Sequence, residues 1–171
     1  SAAAQSFIGE TQSPLIEPRL RAQQAPVATT PDTIAVTPFA NLTGTAEDAW
    51  MGLGIAETIA TDLASIRNLR TVGSDVVATA LRSLGNELVS DSESAVQAAR
   101  LLGARWVLTG AYQRVGNQLR LTALITEVAT RSVIHASVAD GLMIDLFSLQ
   151  DQLSRDLRQG LSSESTGIAP A

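Results

Sequence analysis

The chain has 171 residues, 45% of them apolar and 17% charged, which is the composition of one globular domain with short additional segments. It contains no cysteine, one histidine and twelve basic residues that are all arginine, which excludes disulfides, cysteine-based zinc or iron–sulfur sites, thiol nucleophiles and lysine-dependent phosphate loops. The formal charge of −5 disfavours nucleic acid as a partner, and no apolar run approaches the ~20 residues of a membrane-spanning helix, so we expect no direct membrane insertion.

The two ends of the chain differ in composition from its centre. Residues 1–32 are rich in proline, alanine and glutamine and predict a linker, since so few bulky apolar side chains cannot offset the entropy of ordering. Residues 162–171 are small and polar and predict a flexible tail. The single domain is expected over 33–161. Because the chain begins with Ser1, we expect a piece of a longer protein whose anchor or neighbouring domain lies elsewhere.

The first half of the domain alternates between strand-like and helix-like apolar patterns. Ile34 and Val36 fit a buried strand that Pro38 ends. Beyond the following loop, apolar residues recur at three- and four-residue steps, as on the buried stripe of a helix. In chain order the pattern predicts a strand over 33–39, a loop over 40–45, a helix over 46–68, a strand over 69–72, a helix capped by Ser74 and closed by Gly85, and a helix from the capping box Ser90 and Glu93 to Gly103.

The second half is predicted to be a run of hairpins followed by one helix. Strict alternation of apolar with more polar residues, as in a half-buried strand, runs through Leu119, Leu121, Ala123 and Ile125. The predicted elements are strands over 105–114, 119–126 and 131–138, turns at 116–117 and 129–130, and a helix from Asp145 with a row of leucines. The order β-α-β-α-α-β-β-β-α predicts a single α/β domain with one mixed sheet.

Motifs for chemistry are weak. Gly52 and Gly54 begin like a dinucleotide fingerprint, but Glu57 stands where the third glycine belongs and would repel a pyrophosphate, so we expect no nucleotide and no other cofactor. The same two glycines are better explained by close approach of the first turn of the helix to the sheet. His135 could serve a serine–histidine–aspartate triad, yet the sequence has no Gly-x-Ser-x-Gly elbow, and a lone strand histidine is more often structural. No catalytic residue and no metal ligand is therefore assigned.

Two aromatic residues flank one loop of the predicted domain. Phe39 ends the first strand and Trp50 begins the long helix, with Asn41 in the loop between them. Exposed aromatic side chains make effective anchors for a protein partner. We therefore take Phe39, Asn41 and Trp50 as candidate partner-binding residues, with a sheet edge as the other candidate surface. The alternative is that both aromatic rings simply close the edge of the sheet.

Several stretches of the domain resemble the TolB amino-terminal-like family of bacteria. Residues 34–44 are similar to its strand ending in Pro-Phe and its Asn-x-Ser/Thr-Gly loop, and 53–59 to its helix with Gly-Leu-x-Glu. Residues 100–110 resemble its Leu-Gly-Val-Arg-Tyr-Val-Leu-Glu-Gly, and 145–153 its closing Asp-Leu-Phe-x-Leu-Gln-Asp-x-Ile. The chain departs from the family around 127–131 and at His135, where the family often has Asp-x-x-Thr-Gly and an aromatic residue.

The resemblance implies an envelope-side or extracytoplasmic module, commonly one segment of a longer, membrane-tethered protein. It carries no catalytic motif that could be transferred to this sequence. The first hypothesis is therefore a non-enzymatic protein-interaction or sensory domain whose partner is a protein of the cell envelope. The alternative is a small-molecule-binding sensor domain that regulates an attached cyclase, kinase or DNA-binding domain. A third hypothesis is a hydrolase that uses His135.

Overall fold

The described part of the chain comprises residues 32–85 and 92–165 of a computed structural model. The predicted linker up to residue 31, the capping residue Ser90 and residues 166–171 lie outside it. Within the described ranges five strands and four helices follow one another in the predicted order, and a two-residue strand is the sixth. They are β1 (Asp32–Val36), β2 (Ala40–Asn41), α1 (Trp50–Leu63), β3 (Leu69–Val72), α2 (Ser74–Ser83), α3 (Ser92–Leu101), β4 (Trp106–Val115), β5 (Gln118–Glu127), β6 (Ser132–Leu142) and α4 (Leu146–Ser165).

One mixed sheet organises these elements, as the sequence predicts. Its strand order is β3-β1-β4-β5-β6, and β2 pairs with the far end of β4. Strand β1 runs parallel to β3 and β4, because the helices α1, α2 and α3 return the chain to the same end of the sheet. Strands β4, β5 and β6 are antiparallel neighbours joined by hairpins. The predicted fold class, an α/β domain with a single mixed sheet, is confirmed.

The two faces of the sheet carry separate apolar cores. Helices α1 and α4 cover one face, and the leucine row of α4 is buried there, at Leu149, Leu153, Leu157 and Leu161. Helices α2 and α3 cover the other face only over the parallel strands, where they bury Val77, Leu81, Val96 and Val107. The parallel half of the domain is therefore three layers thick, and the hairpin half is two.

Several predicted boundaries shift for local reasons. A 3₁₀ turn over Ala46–Asp48 precedes α1, which therefore begins at Trp50 and not at residue 46. Gly73, and not Ser74, occupies the N-cap of α2, because the Ser74 hydroxyl donates to Glu57 Oε1 over 2.6 Å instead. Helix α4 continues to Ser165, beyond the predicted end of the domain at 161. No helix of the described residues is long and apolar enough to span a bilayer.

Candidate partner-binding site

The loop between β2 and α1 is closed by the side chain of Asn41. Its Oδ1 accepts hydrogen bonds from the backbone N–H groups of Thr43 and Gly44, at 3.0 and 3.2 Å. Its Nδ2 donates to the carbonyl oxygen of Thr45 over 2.8 Å. This is the local side-chain-to-backbone bonding that stabilises turns at asparagine. Both polar atoms of the Asn41 side chain are thus used within the loop, so Asn41 fixes the shape of this candidate surface.

Side chains and backbone of strand β4 also hold this loop in place. Asp48 is buried, and its Oδ1 lies 2.9 Å from Arg114 Nη1. The Tyr112 hydroxyl donates to the backbone carbonyl of Asp48, and burial, followed by the charge of Asp48, raises the pKa of this phenol. Thr43 Oγ1 accepts the backbone N–H of Arg114 over 2.7 Å. The loop is therefore tied to the sheet by an ion pair and hydrogen bonds at both of its ends.

Phe39 is buried, with 3% of its surface exposed, so the expectation that it is an exposed anchor is wrong. Its ring fills the space over Gly110, where an added Cβ would lie 2.4 Å from ring atoms. An added Cβ at Gly52 would lie 2.3 Å from the Phe39 carbonyl oxygen, and the Phe39 backbone N–H donates to the Gly52 carbonyl over 3.1 Å. Gly110 on β4 therefore makes room for the ring, and Gly52 lets α1 approach the Phe39 backbone, which agrees with close packing as the reason for Gly52.

Trp50 is exposed on the first turn of α1, with 61% of its surface accessible. Leu53, one turn further along the same helix, is 47% exposed, and Val76 of α2 is 45% exposed. Leu53 and Val76 line a groove of about 330 Å³ between α1 and α2. We call Trp50, Leu53 and Val76 the Trp50 surface.

Two of the three residues of the Trp50 surface, Leu53 and Val76, are not among the candidates that the sequence predicts. Val76 is one of several apolar residues of α2, of which only part faces the core. The available signal was that these apolar residues cover a wider arc than one buried stripe of a helix needs. Leu53 is not predicted as a binding residue because it lies between Gly52 and Gly54, which resemble the start of a dinucleotide fingerprint.

His135 belongs to a different part of the molecule, between β6 and α4. Its Nε2 lies 3.1 Å from Asp156 Oδ2, and an added Cβ at Gly160 would lie 2.5 Å from its ring. A hydrogen bond from the Ser137 side chain, together with the bond to His135, lowers the pKa of Asp156 against the opposing effect of burial. Ser137 and His135 therefore both bond to the carboxylate of Asp156. In a catalytic triad the serine hydroxyl donates to the histidine instead. The cluster fastens the helix to the strand.

Metal binding has no support in the described ranges, where no three histidine, aspartate or glutamate side chains are grouped to hold an ion.

Comparisons with known proteins place the chain by fold. No family model matches it. It is 28% identical over 144 residues to a Rhizobium meliloti (strain 1021) protein named "Putative adenylate cyclase 3", and the match covers 84% of this chain. The chain spans only 23% of the length of that relative.

Three solved structures share the architecture at low identity. The LpoB C-terminal domain from Escherichia coli superposes with a TM-score of 0.52 at 22% identity, over 66% of this chain and 84% of that one. TolB from Acinetobacter baumannii gives 0.52 at 15% identity, over 81% and 29%. Lipoprotein GNA1162 from Neisseria meningitidis gives 0.50 at 13% identity, over 66% and 81%. The chain is therefore an α/β domain with the fold that LpoB and TolB share.

Proposed function

We propose that this chain is a non-enzymatic protein-interaction module of the bacterial envelope, of the TolB amino-terminal-like kind. It acts outside the cytoplasm and is tethered to a membrane in the full-length protein. Two findings support this role: the fold is found in a lipoprotein, GNA1162, and the curated relative is several times longer than the chain. The third hypothesis, a hydrolase, has less support, because the Ser137 side chain and His135 both bond to the carboxylate of Asp156.

The observation that carries the proposal is the exposed indole of Trp50, which follows a loop held in place by hydrogen bonds and an ion pair. Tryptophan is enriched among the residues that dominate binding energy at protein interfaces, especially where neighbouring side chains exclude water. Leu53 is a neighbour of Trp50 one turn along α1, and it lines the groove together with Val76. The bonds of Asn41, Asp48 and Arg114 hold the preceding loop before any partner arrives, which lowers the conformational cost of association.

Photocrosslinking in the source bacterium tests this proposal. A photoreactive phenylalanine analogue replaces Trp50 in the full-length protein, and in a control it replaces Leu101, an equally exposed apolar residue at the end of α3. We expect one discrete adduct with an envelope protein from position 50 and none from position 101. Adducts of equal yield from both positions, or none from position 50, would rule out the Trp50 surface as the interface.

The sensor alternative is favoured by one observation, the name of the curated relative. The chain matches 23% of the length of a protein named as an adenylate cyclase, so most of that protein lies outside the matched region. On this alternative the domain binds a small molecule and regulates an attached cyclase, kinase or DNA-binding domain. The full-length gene discriminates the two: an output domain in the same open reading frame supports the sensor, and an anchor with no output domain supports the interaction module.

A further inference from the structure

A second cavity lies next to the groove of the Trp50 surface, and Val76 of helix α2 lines both. It has a volume of about 430 Å³ and is formed where β1 and β3 meet α2 and the end of α3. This volume is within the range of about 300–1,000 Å³ that is usual for small-molecule sites. Strand β3 is an edge strand of the sheet, so the cavity opens at the border of the domain. We call it the Arg70 cavity.

The side chains of the cavity are one cation, two hydroxyls, those of Thr33 and Thr71, and an apolar wall. Arg70 stands directly opposite Thr33 in the parallel register of β3 and β1. Val72 shares a face of β3 with Arg70, because strand side chains alternate. Val72 packs against the core beneath α2 and α3, so this is the face that those helices cover. Val76 and Leu102 complete the wall.

The charge of Arg70 is not used within the described residues, where its guanidinium forms none of the ion pairs. The neighbouring carboxylate of Asp32 on β1 already pairs with Arg105, at 2.9 Å. The carboxylate of Glu57 accepts the hydroxyl of Ser74. The chain has a net charge of −5, yet Arg70 has no carboxylate partner among the described residues. The planar N–H groups of its guanidinium are therefore available to a ligand in the cavity.

We propose that the Arg70 cavity binds a small organic carboxylate with an apolar body. The carboxylate accepts hydrogen bonds from the Arg70 guanidinium, whose fork of N–H groups matches its two oxygens, and Thr33 supplies a further donor. The hydrocarbon part of the ligand lies against Val72, Val76 and Leu102. The inference does not depend on the proposed function, since the cavity shares only Val76 with the Trp50 surface.

Titration of the ¹⁵N-labelled chain with benzoate tests the proposal. Gly73 and Gly103 line the cavity on two sides, and their backbone amides report on its occupancy. We expect both amide signals to shift and saturate with benzoate. Benzyl alcohol has nearly the same shape without the charge, and it should bind about tenfold more weakly because charge-assisted hydrogen bonds are the stronger ones.

Two variants separate this site from general binding of anions. Arg70→Gln should weaken benzoate binding about tenfold, whereas Arg67→Gln, an exposed arginine on the turn before β3, should leave it unchanged. Absence of saturable shifts with benzoate, equal binding of benzyl alcohol, or unchanged affinity in the Arg70 variant would each overturn the proposal. A tetraglutamate peptide that shifts both glycines where benzoate does not would also overturn it, in favour of an acidic protein segment as the occupant.

Discussion

At the scale of single residues, two glycines in one helix should respond to the same substitution in opposite directions. Gly52→Ala places a Cβ 2.3 Å from the carbonyl oxygen of Phe39, a backbone atom that cannot move aside alone. Overpacking of this kind costs about 1–3 kcal/mol. Gly54→Ala meets nothing nearer than the Trp50 ring at 4.0 Å, so it should raise stability by about 0.5–1 kcal/mol through helix propensity. Chemical denaturation of both variants measures the difference, and a Gly52 variant as stable as the Gly54 variant would contradict the close approach of α1 to the Phe39 backbone.

The burial of Phe39 could not be predicted from its neighbours in the sequence. The space for its ring is made by Gly110 on β4, and the pairing of β1 with β4 that brings this glycine close is a contact between distant parts of the chain. The exposure of Trp50 was predictable because α1 places its apolar stripe on Met51, Ile55 and Ile59, which leaves position 50 outside the stripe.

At the scale of elements, helix α4 should stabilise the larger core through its row of buried leucines. Leu153 of this helix is buried against the sheet, with 1% of its surface exposed. Leu153→Ala should therefore lower the free energy of unfolding by about 2–5 kcal/mol, as truncation of a buried leucine does. Gln152→Ala, at the exposed neighbouring position, is the matched control and should change it by less than about 0.5 kcal/mol. Equal melting temperatures for the two variants would show that α4 does not lie on the sheet through its leucine row.

The order of elements was predictable because each long element has its own period. The leucines of α4 recur at helical steps, and β5 alternates apolar and polar residues along its length. Strand β2 escaped prediction because two residues, Ala40 and Asn41, are too few to show any period. Its existence depends on pairing with Ala111 and Tyr112 of β4, which only the folded chain provides.

At the scale of the whole molecule, both proposed surfaces meet at helix α2, because Val76 lines the groove of the Trp50 surface and also the Arg70 cavity. A ligand in the cavity and a partner on the groove would therefore contact neighbouring sides of one side chain. His135 and Asp156 line neither the groove nor the cavity, and their contact attaches β6 to α4.

The stability of the whole domain in acid should depend on that attachment. The hydrogen bond from Ser137 and the partner His135 lower the pKa of Asp156 below 3.8, so folding favours the ionised carboxylate. A carboxylate with a lowered pKa contributes stability above its unfolded pKa, and this contribution is lost as the pH falls through the folded value. Asp156→Asn should therefore lower the melting temperature at pH 6 and have a smaller effect near pH 3.

Asp151→Asn, at an exposed position on the same helix, is the control for a general change in net charge. The side chain of Asp156 is 46% exposed, so salt should screen its attraction to His135, and 1 M NaCl should reduce the difference between the Asp156 variant and the parent chain. If the Asp156 variant instead lost as much stability at pH 3 as at pH 6, the contribution would come from packing of the side chain and not from its charge. The junction of β6 with α4 would then be independent of pH.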